Sequence, residues 1–356
     1  MDIISLLNSA ILQGASDVHL IVSSPTIVRI NGLLQSLDDE SLPLTAEDMN
    51  EALIQITTPE QREVFKDTLE LDSSYTLTGV GRVRCNIAWQ QGTLSMALRL
   101  LPPNIPSIEE LGVPDLCRDL ILKPRGLVMI SGPTGSGKTT TLAAMIRYLN
   151  ENEQRHIVTI EDPIEYVHTS INCLIAQREL GVDTLSFQEA LRHVLRQDPD
   201  VILVGEMRDL ETAAAVLTIA ETGHLVLTTG HAPSAPQAME RVIDLFPPHE
   251  RYLAQTRLAS LLVGVLCQAL VPRINEWGRV AAVEVMLANP AVRNLIREGK
   301  LYQLPNVIRT NADIGMVNLD QSLIDLYLKG IIGWDDLFAF CNNGEEVEKL
   351  IGKVRV

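Results

Sequence analysis

The most constraining feature of the chain is a glycine-rich stretch near its middle, Gly132-Pro133-Thr134-Gly135-Ser136-Gly137-Lys138-Thr139. It matches the pattern G-x-x-x-x-G-K-[ST], in which a loop of backbone N–H groups surrounds phosphate oxygens. The apolar run at 126–131 is typical of a buried strand, and 140–149 has the composition of a helix. Since this motif requires strand, glycine loop and helix in that order, the sequence predicts a nucleotide-binding α/β domain.

Phosphate binding gives a chemical reason for each residue type in this loop. Glycine allows the backbone to curl around the phosphates, and the start of the following helix adds partial positive charge. Lys138 is expected to reach the β- and γ-phosphates of ATP, and the Thr139 hydroxyl to ligate Mg²⁺. The predicted nucleotide-binding residues are Gly132, Pro133, Thr134, Gly135, Ser136, Gly137, Lys138, Thr139 and Thr140.

The composition excludes some functions. The net charge of −16 argues against bulk electrostatic binding of nucleic acid, so no nucleic-acid partner is expected. The five cysteines are scattered without a C-x-x-C pair, as in a cytoplasmic protein without a zinc site. The start, Met1-Asp2, has no basic segment, so no signal peptide is expected. The longest nearly apolar run, 258–271, is too short to span a bilayer and is predicted to be a buried helix.

The chain is long enough for two domains, and the proline-rich stretch at 102–106 marks the expected linker. Before it, helical spacing at 2–13, 46–56 and 60–66 alternates with runs typical of strands, including a hairpin around Asn31-Gly32. These patterns predict a small α+β domain at 1–101, in which His19 is interpreted as structural. The remainder, 107–356, is expected to form the ATPase domain and a C-terminal helical region.

Acidic residues end two further strands of the predicted sheet. The run 156–160 is followed by Glu161, and the run 201–204 by Gly205 and Glu206. Ligands bind at the carboxyl ends of the strands in open α/β sheets, so both carboxylates are expected near the phosphate loop. Glu206 is predicted to orient the attacking water, and both carboxylates can hold Mg²⁺ through water.

A histidine follows another buried run, 225–229, after a helix stop at Thr222-Gly223-His224. In this layout the run 225–229 is predicted to lie near the phosphate-loop strand. His231 would then end close to the γ-phosphate.

On these motifs the chain resembles the secretion-ATPase superfamily, and within it the retraction motors of type IV pili. The matching stretches are 14–20, 132–140, 159–166, 198–209, 220–231 and 291–300. The phosphate loop alone is shared with many ATPases, whereas I-E-D-P-I-E at 160–165 and G-E-M-R-D-L-E-T at 205–212 are far more specific. The segment A-V-R-N-L-I-R-E at 291–298 is similar to the one that marks retraction motors.

The resemblance implies a PAS-like N-terminal domain, a RecA-like ATPase domain and a homohexameric ring in which ATP hydrolysis powers pilus retraction and twitching motility. It implies the pilus machinery and an inner-membrane platform protein as partners, at the cytoplasmic face of the membrane. It also gives roles to six residues: Glu161 in an aspartate box, Glu206 in the Walker B motif, His224 and His231 in a histidine box, and Arg84 and Arg99 as arginines that reach the phosphates.

The chain departs from the family pattern T-L-H-T at Thr229-Gly230-His231-Ala232. Glycine is expected to loosen the strand end at His231, and alanine lacks a hydroxyl. Two alternatives stay open, the second of them because of this departure. One is a pilus-assembly or type II secretion ATPase of the same superfamily, although these typically carry a longer N-terminal region and a four-cysteine zinc site. The other is a nucleotide-gated scaffold with little turnover.

The segment 289–299 predicts an output helix, with Asn289 as N-cap, Pro290 in the first turn and Gly299 after the end. Its apolar residues are expected to face the core and its polar residues, Arg293, Asn294, Arg297 and Glu298, to face outward. The hypothesis is that this helix couples ring motion to the pilus machinery and has no part in hydrolysis.

Overall fold

The computed structural model describes residues 1–30, 32–38, 42–77, 81–101, 104–274 and 278–354. The chain divides into two compact units. The N-terminal unit comprises Met1–Asn104 with Glu165–Val167, and the larger unit comprises Ile105–Ile164 and His168–Val356. The hairpin tip at Asn31 and the first two prolines of the predicted linker lie outside the described residues.

The N-terminal unit is an antiparallel sheet with helices on one face. Its elements are α1 Ile3–Leu12, β1 Asp17–Ile21, β2 Ile27–Ile30, β3 Leu33–Ser36, α2 Ala46–Ile56, α3 Pro59–Thr68, β4 Glu70–Leu77, β5 Gly81–Gln90 and β6 Thr93–Leu100. The six strands run in the order β3-β2-β1-β6-β5-β4. Alternate strand residues such as Val18 and Leu98 are fully buried in one core with the apolar faces of the helices.

Side-chain caps explain where the three helices of this unit begin. Asp2 accepts hydrogen bonds from the backbone N–H groups of Ile4 and Ser5 at the start of α1. Thr45 and Thr58 form reciprocal capping boxes at the starts of α2 and α3. Each cap accepts hydrogen bonds from backbone N–H groups that have no acceptor within the helix itself.

The larger unit is a mostly parallel sheet between helical layers. Its elements up to the middle of the sheet are α4 Ile108–Leu111, α5 Leu116–Ile121, β7 Gly126–Ser131, α6 Lys138–Asn152, β8 His156–Glu161, β9 Leu174–Glu179, α7 Phe187–Val194, β10 Val201–Val204, α8 Leu210–Glu221 and β11 Leu225–Thr229. Those after it are α9 Ala235–Asp244, α10 Arg251–Leu261, β12 Leu262–Pro272, β13 Arg279–Leu287, α11 Pro290–Arg297, α12 Leu304–Thr310, α13 Leu319–Leu328, α14 Trp334–Phe340 and α15 Gly344–Val354, with short 3₁₀ turns at Leu301–Gln303 and Ala312–Ile314.

The seven strands run in the order β13-β12-β7-β11-β10-β8-β9. Strand β13 is antiparallel to its neighbour β12, and the other strand pairs of this sheet in the described residues are parallel. In β7, Leu127 and Met129 face one core and Val128 and Ile130 face the other, so the strand is buried on both sides. The predicted fold class, a phosphate-loop α/β sheet preceded by a smaller α+β unit, is confirmed.

The prediction of a buried helix at 258–271 was wrong. Helix α10 ends at Leu261, and β12 occupies Leu262–Pro272. The run is apolar without a helical period, contains Gly264 and β-branched valines, and is paired by β7 on one side and β13 on the other. No helix in the described part of the chain has both the length and the apolar character needed to cross a bilayer.

Helix α11 begins and ends where the sequence predicts, but one of the residues predicted to face outward points inward in the structure. Asn289 caps it by accepting from the N–H of Val292. The guanidinium of Arg293 is half-buried and donates to four backbone carbonyls: Nε to that of Ala288, and the terminal nitrogens to those of Ala259, Ser260 and Leu262, all within 2.9 Å. Arg293 therefore pairs the open carbonyls at the end of α10, and its predicted outward orientation was wrong.

Arg293→Ala should destabilise the protein. The substitution leaves the carbonyls at the end of α10 without their charged donor, which should lower the free energy of unfolding by about 2 kcal/mol. Asn294→Ala is the matched control on the next residue, because Asn294 is exposed and its side chain bonds only to Glu298 within the described part of the chain. Its effect should stay below about 0.5 kcal/mol. Urea unfolding of the nucleotide-free proteins measures both, and equal stabilities would contradict the capping role of Arg293.

Candidate nucleotide-binding site

The backbone of the phosphate loop requires glycine at both ends. Gly132 and Gly137 have φ angles of +144° and +86°, a region that other residues rarely adopt. A Cβ on Gly132 would lie 2.3 Å from the backbone oxygen of Gln268, and one on Gly137 would lie 2.9 Å from the Gln268 side-chain nitrogen. The loop is therefore pressed against β12, and Pro133, Thr134 and Gly135 form its exposed crest.

The polar groups inside the loop suit an anion. Lys138 is buried, and its Nζ donates to the backbone oxygens of Gly132 at 2.8 Å and Pro133 at 3.0 Å. The Ser136 hydroxyl is buried without a hydrogen-bond partner in the described part of the chain. Helix α6 starts at Lys138 without a side-chain cap within that same part. Thr139 and Thr140 lie half-buried in its first turn. A phosphate group would satisfy these donors.

The sheet brings the ends of four strands to this edge. Strands β7, β11, β10 and β8 are parallel neighbours, with Ile130 opposite Thr229, Thr228 opposite Val204, and Val204 opposite Ile160. The predicted neighbourhood of β11 and the phosphate-loop strand is confirmed. The residues that follow these strands therefore share the edge that carries the phosphate loop.

Glu206 and His231 meet at this edge. The Nε2 atom of His231 lies 3.5 Å from Oε2 of Glu206, whose side chain is only 14% exposed. The guanidinium of Arg208 contacts the other carboxylate oxygen. Two partners, one on each oxygen of the carboxylate, hold Glu206 in a fixed position.

Glu161 is the second carboxylate of the edge and is almost fully buried, with 8% exposure. It accepts hydrogen bonds from the Thr159 hydroxyl at 2.6 Å and the Gln177 amide at 3.2 Å. The loop after it contains a cis Asp162–Pro163 peptide bond, and its Ile164 N–H donates to the buried carboxylate of Glu179 at 3.0 Å. The aspartate-box loop is thus anchored to β9.

His224 lies at the other end of β11. Its backbone oxygen accepts from Gly126, the first residue of β7, whereas the phosphate loop follows the last residue of β7. Its Nδ1 is 3.0 Å from the Thr222 hydroxyl. The structure therefore does not bring His224 to the phosphate loop of its own chain.

Arg84 and Arg99 are direct cross-strand partners in the N-terminal unit, on β5 and β6. Both are exposed, and Arg99 is also opposite Asp17 on β1. Nε of Arg99 lies 3.1 Å from Oδ1 of Asp17, and the other carboxylate oxygen, Oδ2, accepts from the Ser16 hydroxyl. Like charges directly opposite each other destabilise a sheet. Asp17 offsets part of the repulsion between the Arg84 and Arg99 guanidinium groups, and an anionic ligand would offset more of it.

The departure at Gly230 does not loosen the strand end. The Gly230 N–H donates to the Ile130 oxygen at 2.9 Å. The Ser131 hydroxyl accepts from the Ala232 N–H at 2.9 Å and donates to the Ala232 oxygen at 2.7 Å. A Cβ on Gly230 would lie 2.6 Å from the terminal methyl of Met129, which occupies that space. The expected loosening was wrong, because Ser131 and Met129 hold this segment from the neighbouring strand.

Glu284 is a further supporting residue that the sequence reasoning missed. It is buried on β13 and accepts from the N–H of Ala235, at the start of α9, at 2.7 Å. Burial raises the pKa of this carboxyl, and the backbone hydrogen bonds from Ala235 and Leu319 oppose the rise. The sequence did contain a signal for this residue, because Glu284 is a single acidic residue within the apolar run 280–286.

Comparison with known proteins agrees with this geometry. Residues 2–297 match a family described as type II/IV secretion system protein. The chain is similar to the type IV pilus retraction ATPase PilT of Pseudomonas aeruginosa, with 46% identity over 93% of this chain and 96% of that protein. It is also similar to a twitching motility protein of Neisseria gonorrhoeae, with 44% identity over 97% of this chain and 92% of that protein.

Among solved structures, the pilus retraction motor PilT with bound ADP superposes with a TM-score of 0.91 at 40% identity. The match covers 98% of this chain and 99% of the other. The family match covers most of the chain, and the two relatives are aligned along almost their whole length. The chain belongs to the type II/IV secretion system protein family.

Proposed function

We propose that this chain is an ATPase motor that powers the retraction of type IV pili and thereby twitching motility. The observation that carries the proposal is the shared edge of the larger sheet, where the phosphate loop, Glu206 and His231 follow adjacent strands. The similarity to a retraction ATPase along nearly the whole chain supports the same conclusion.

The phosphate loop binds ATP. Lys138 now donates to loop carbonyls, and phosphate oxygens of the nucleotide are stronger acceptors for the same ammonium group. The Ser136 hydroxyl and the start of α6, which have no side-chain partner among the described residues, fit the same ligand. The Thr139 hydroxyl would hold Mg²⁺, with Glu161 and Glu206 assisting through water, and the ion would supply positive charge against the phosphates.

Glu206 positions the attacking water and accepts its proton. The water oxygen bonds to the γ-phosphorus while the bond to the bridging oxygen breaks, which yields ADP and phosphate. The His231 ring lies within hydrogen-bonding distance of Glu206, so His231 keeps the carboxylate in place. Ser131 and Glu284 fix the segment that carries His231, which argues against the scaffold alternative that the Gly230 departure had left open.

The motor works as a homohexamer at the cytoplasmic face of the inner membrane, against a platform protein of the pilus machinery. Its two domains are 1–101 and 107–356, joined by the linker at 102–106. Arg84 and Arg99 contribute to the phosphate site. The names of the relatives support the link to pili and twitching motility, and the resemblance of the motifs supports the hexamer, the platform partner and the two arginines. His224 receives no role in hydrolysis within its own chain.

Deleting the gene in the cells that encode this chain tests the direction of the motor. A retraction motor removes subunits, so its loss should leave surface pili in normal or raised number while twitching motility disappears. Loss of the pili themselves would favour the assembly alternative. Purified protein without Mg²⁺-dependent ATP hydrolysis would favour the scaffold.

Asn294→Ala should separate force output from chemistry. The residue is exposed on α11 and belongs to none of the strand ends that hold the nucleotide. The variant should keep most ATPase activity and its hexamer, while cells that carry it lose most retraction-dependent motility. Arg297→Ala, on the same exposed face, provides a second variant. Normal motility in both strains, or ATPase loss equal to the motility loss, would contradict a coupling role for α11.

A further inference from the structure

Strand β12 extends beneath the phosphate loop. It runs parallel to β7 up to the pair Cys267 and Ser131, and the next residues of β12 continue along the loop itself. The backbone oxygen of Gln268 faces Gly132, while its side-chain nitrogen and the methyl groups of Leu270 face Gly137. The two glycines that bound the loop therefore rest on residues far away in sequence.

The Gln268 side chain also connects this strand to the helix that follows the loop. Its Oε1 accepts a hydrogen bond from the Thr141 hydroxyl at 2.9 Å. Both side chains are buried, with exposures of 5% for Gln268 and 1% for Thr141. Because the oxygen binds Thr141, the nitrogen of the same amide faces Gly137, and one rigid planar group spans the end of the loop and the first turn of α6.

We propose that Gln268 is a positioning residue for nucleotide binding, which holds the phosphate loop and the start of α6 in the spacing that phosphates require. The inference rests on the proposed ATP site. Backbone N–H groups bind phosphate well only when they converge before the ligand arrives. The Gln268–Thr141 hydrogen bond fixes that convergence from β12, a strand that is itself paired with β7 and β13.

The test measures the dissociation constant of ADP with Mg²⁺ by titration calorimetry on the full chain, well below the melting temperature of each protein. Gln268→Met keeps the length of the side chain and removes the amide. Thr141→Val keeps the shape and removes the hydroxyl. Each should weaken ADP binding about tenfold, because a buried partner is left without its hydrogen bond.

The double variant Gln268→Met/Thr141→Val should bind ADP no more weakly than either single variant, because both remove the same hydrogen bond. Thr141→Ser retains the hydroxyl and should stay within about twofold of the unmodified protein. If Gln268→Met does not fold, Thr141→Val and Thr141→Ser test the same bond from its other side.

Ser322→Ala is the matched control. Ser322 accepts a hydrogen bond from the N–H of Val283, the residue of β13 that pairs with Gln268, so the variant loosens the adjoining strand without touching the loop. It should bind ADP normally. Equal ADP binding by Gln268→Met and the unmodified protein, or equal weakening by Ser322→Ala, would overturn the positioning role. An unmodified protein that binds no nucleotide would instead overturn the proposed function.

Discussion

Glu206→Gln should bind ATP with nearly normal affinity and hydrolyse it about 10²–10⁴-fold more slowly, the usual contribution of a positioned acid or base. The amide has the size of the carboxylate and still accepts a hydrogen bond, but it cannot take a proton from water. The contacts of Glu206 with His231 and Arg208 hold its side chain at the sheet edge. The substitution therefore removes basicity and leaves the geometry of the edge in place.

Lys138→Ala distinguishes binding from chemistry in the same assay. It removes the loop's ammonium donor, so ATP binding and hydrolysis should both fall. Glu211→Gln is the control for loss of one negative charge, because Glu211 is exposed in the first turn of α8. Steady-state phosphate release and nucleotide titration separate the three variants. A normal turnover rate for Glu206→Gln would remove Glu206 from the role of base.

The strand–loop–helix unit and the acidic strand ends were predictable because both depend on local pattern. An apolar run, a glycine loop and a helical segment are adjacent in sequence, and parallel strands place their carboxyl ends at one edge. Glu206 and His231, 25 residues apart, share this edge for that reason. The rule predicts the edge on which a residue lies but not its contacts.

The supporting residues were not predictable, because their partners are distant in sequence. Ser131 bonds to Ala232 and Gln268 to Thr141, across separations of 101 and 127 residues. β12 was mistaken for a helix because a short apolar run has no period that separates the two, and only its pairing with β7 and β13 decides the outcome. The outward orientation of Arg293 was predicted because helical spacing places charged residues on the exposed face. That pattern carries no information about the unpaired backbone carbonyls at the end of the neighbouring helix α10.

Replacing either Arg84 or Arg99 by alanine should lower the turnover rate about 10³-fold or more, as arginine contacts to a transferring phosphoryl group do elsewhere. These two residues lie in a different unit from the phosphate loop, so nucleotide binding should change much less than turnover. Their position argues for an anion: two guanidinium groups occupy directly opposed sites on neighbouring strands, an arrangement that costs stability unless a negative group lies nearby.

Asp17 supplies part of that negative charge through its 3.1 Å contact with Arg99, and it also orients the guanidinium. Asp17→Asn keeps the hydrogen-bond acceptor and removes the charge, so it should weaken turnover less than Arg99→Ala does. Arg99→Lys should restore little, because a lysine ammonium lacks the planar pair of donors that matches two phosphate oxygens.

Lys66→Ala is the control for loss of one positive charge from the same unit, since Lys66 is exposed on α3 and pairs only with Glu63 among the contacts described for it. Its turnover should be normal. The measurement is steady-state ATP hydrolysis by each variant, after gel filtration has shown that the variant assembles as the unmodified protein does. If Arg84→Ala and Arg99→Ala both hydrolyse ATP at the normal rate in that assembly, neither arginine contacts the phosphates. The charged residues Asp17, Arg99 and Arg84, aligned across β1, β6 and β5, would then only stabilise the sheet itself. The positive charge for catalysis would have to come from the larger unit, where Lys138 and Arg208 lie at the sheet edge.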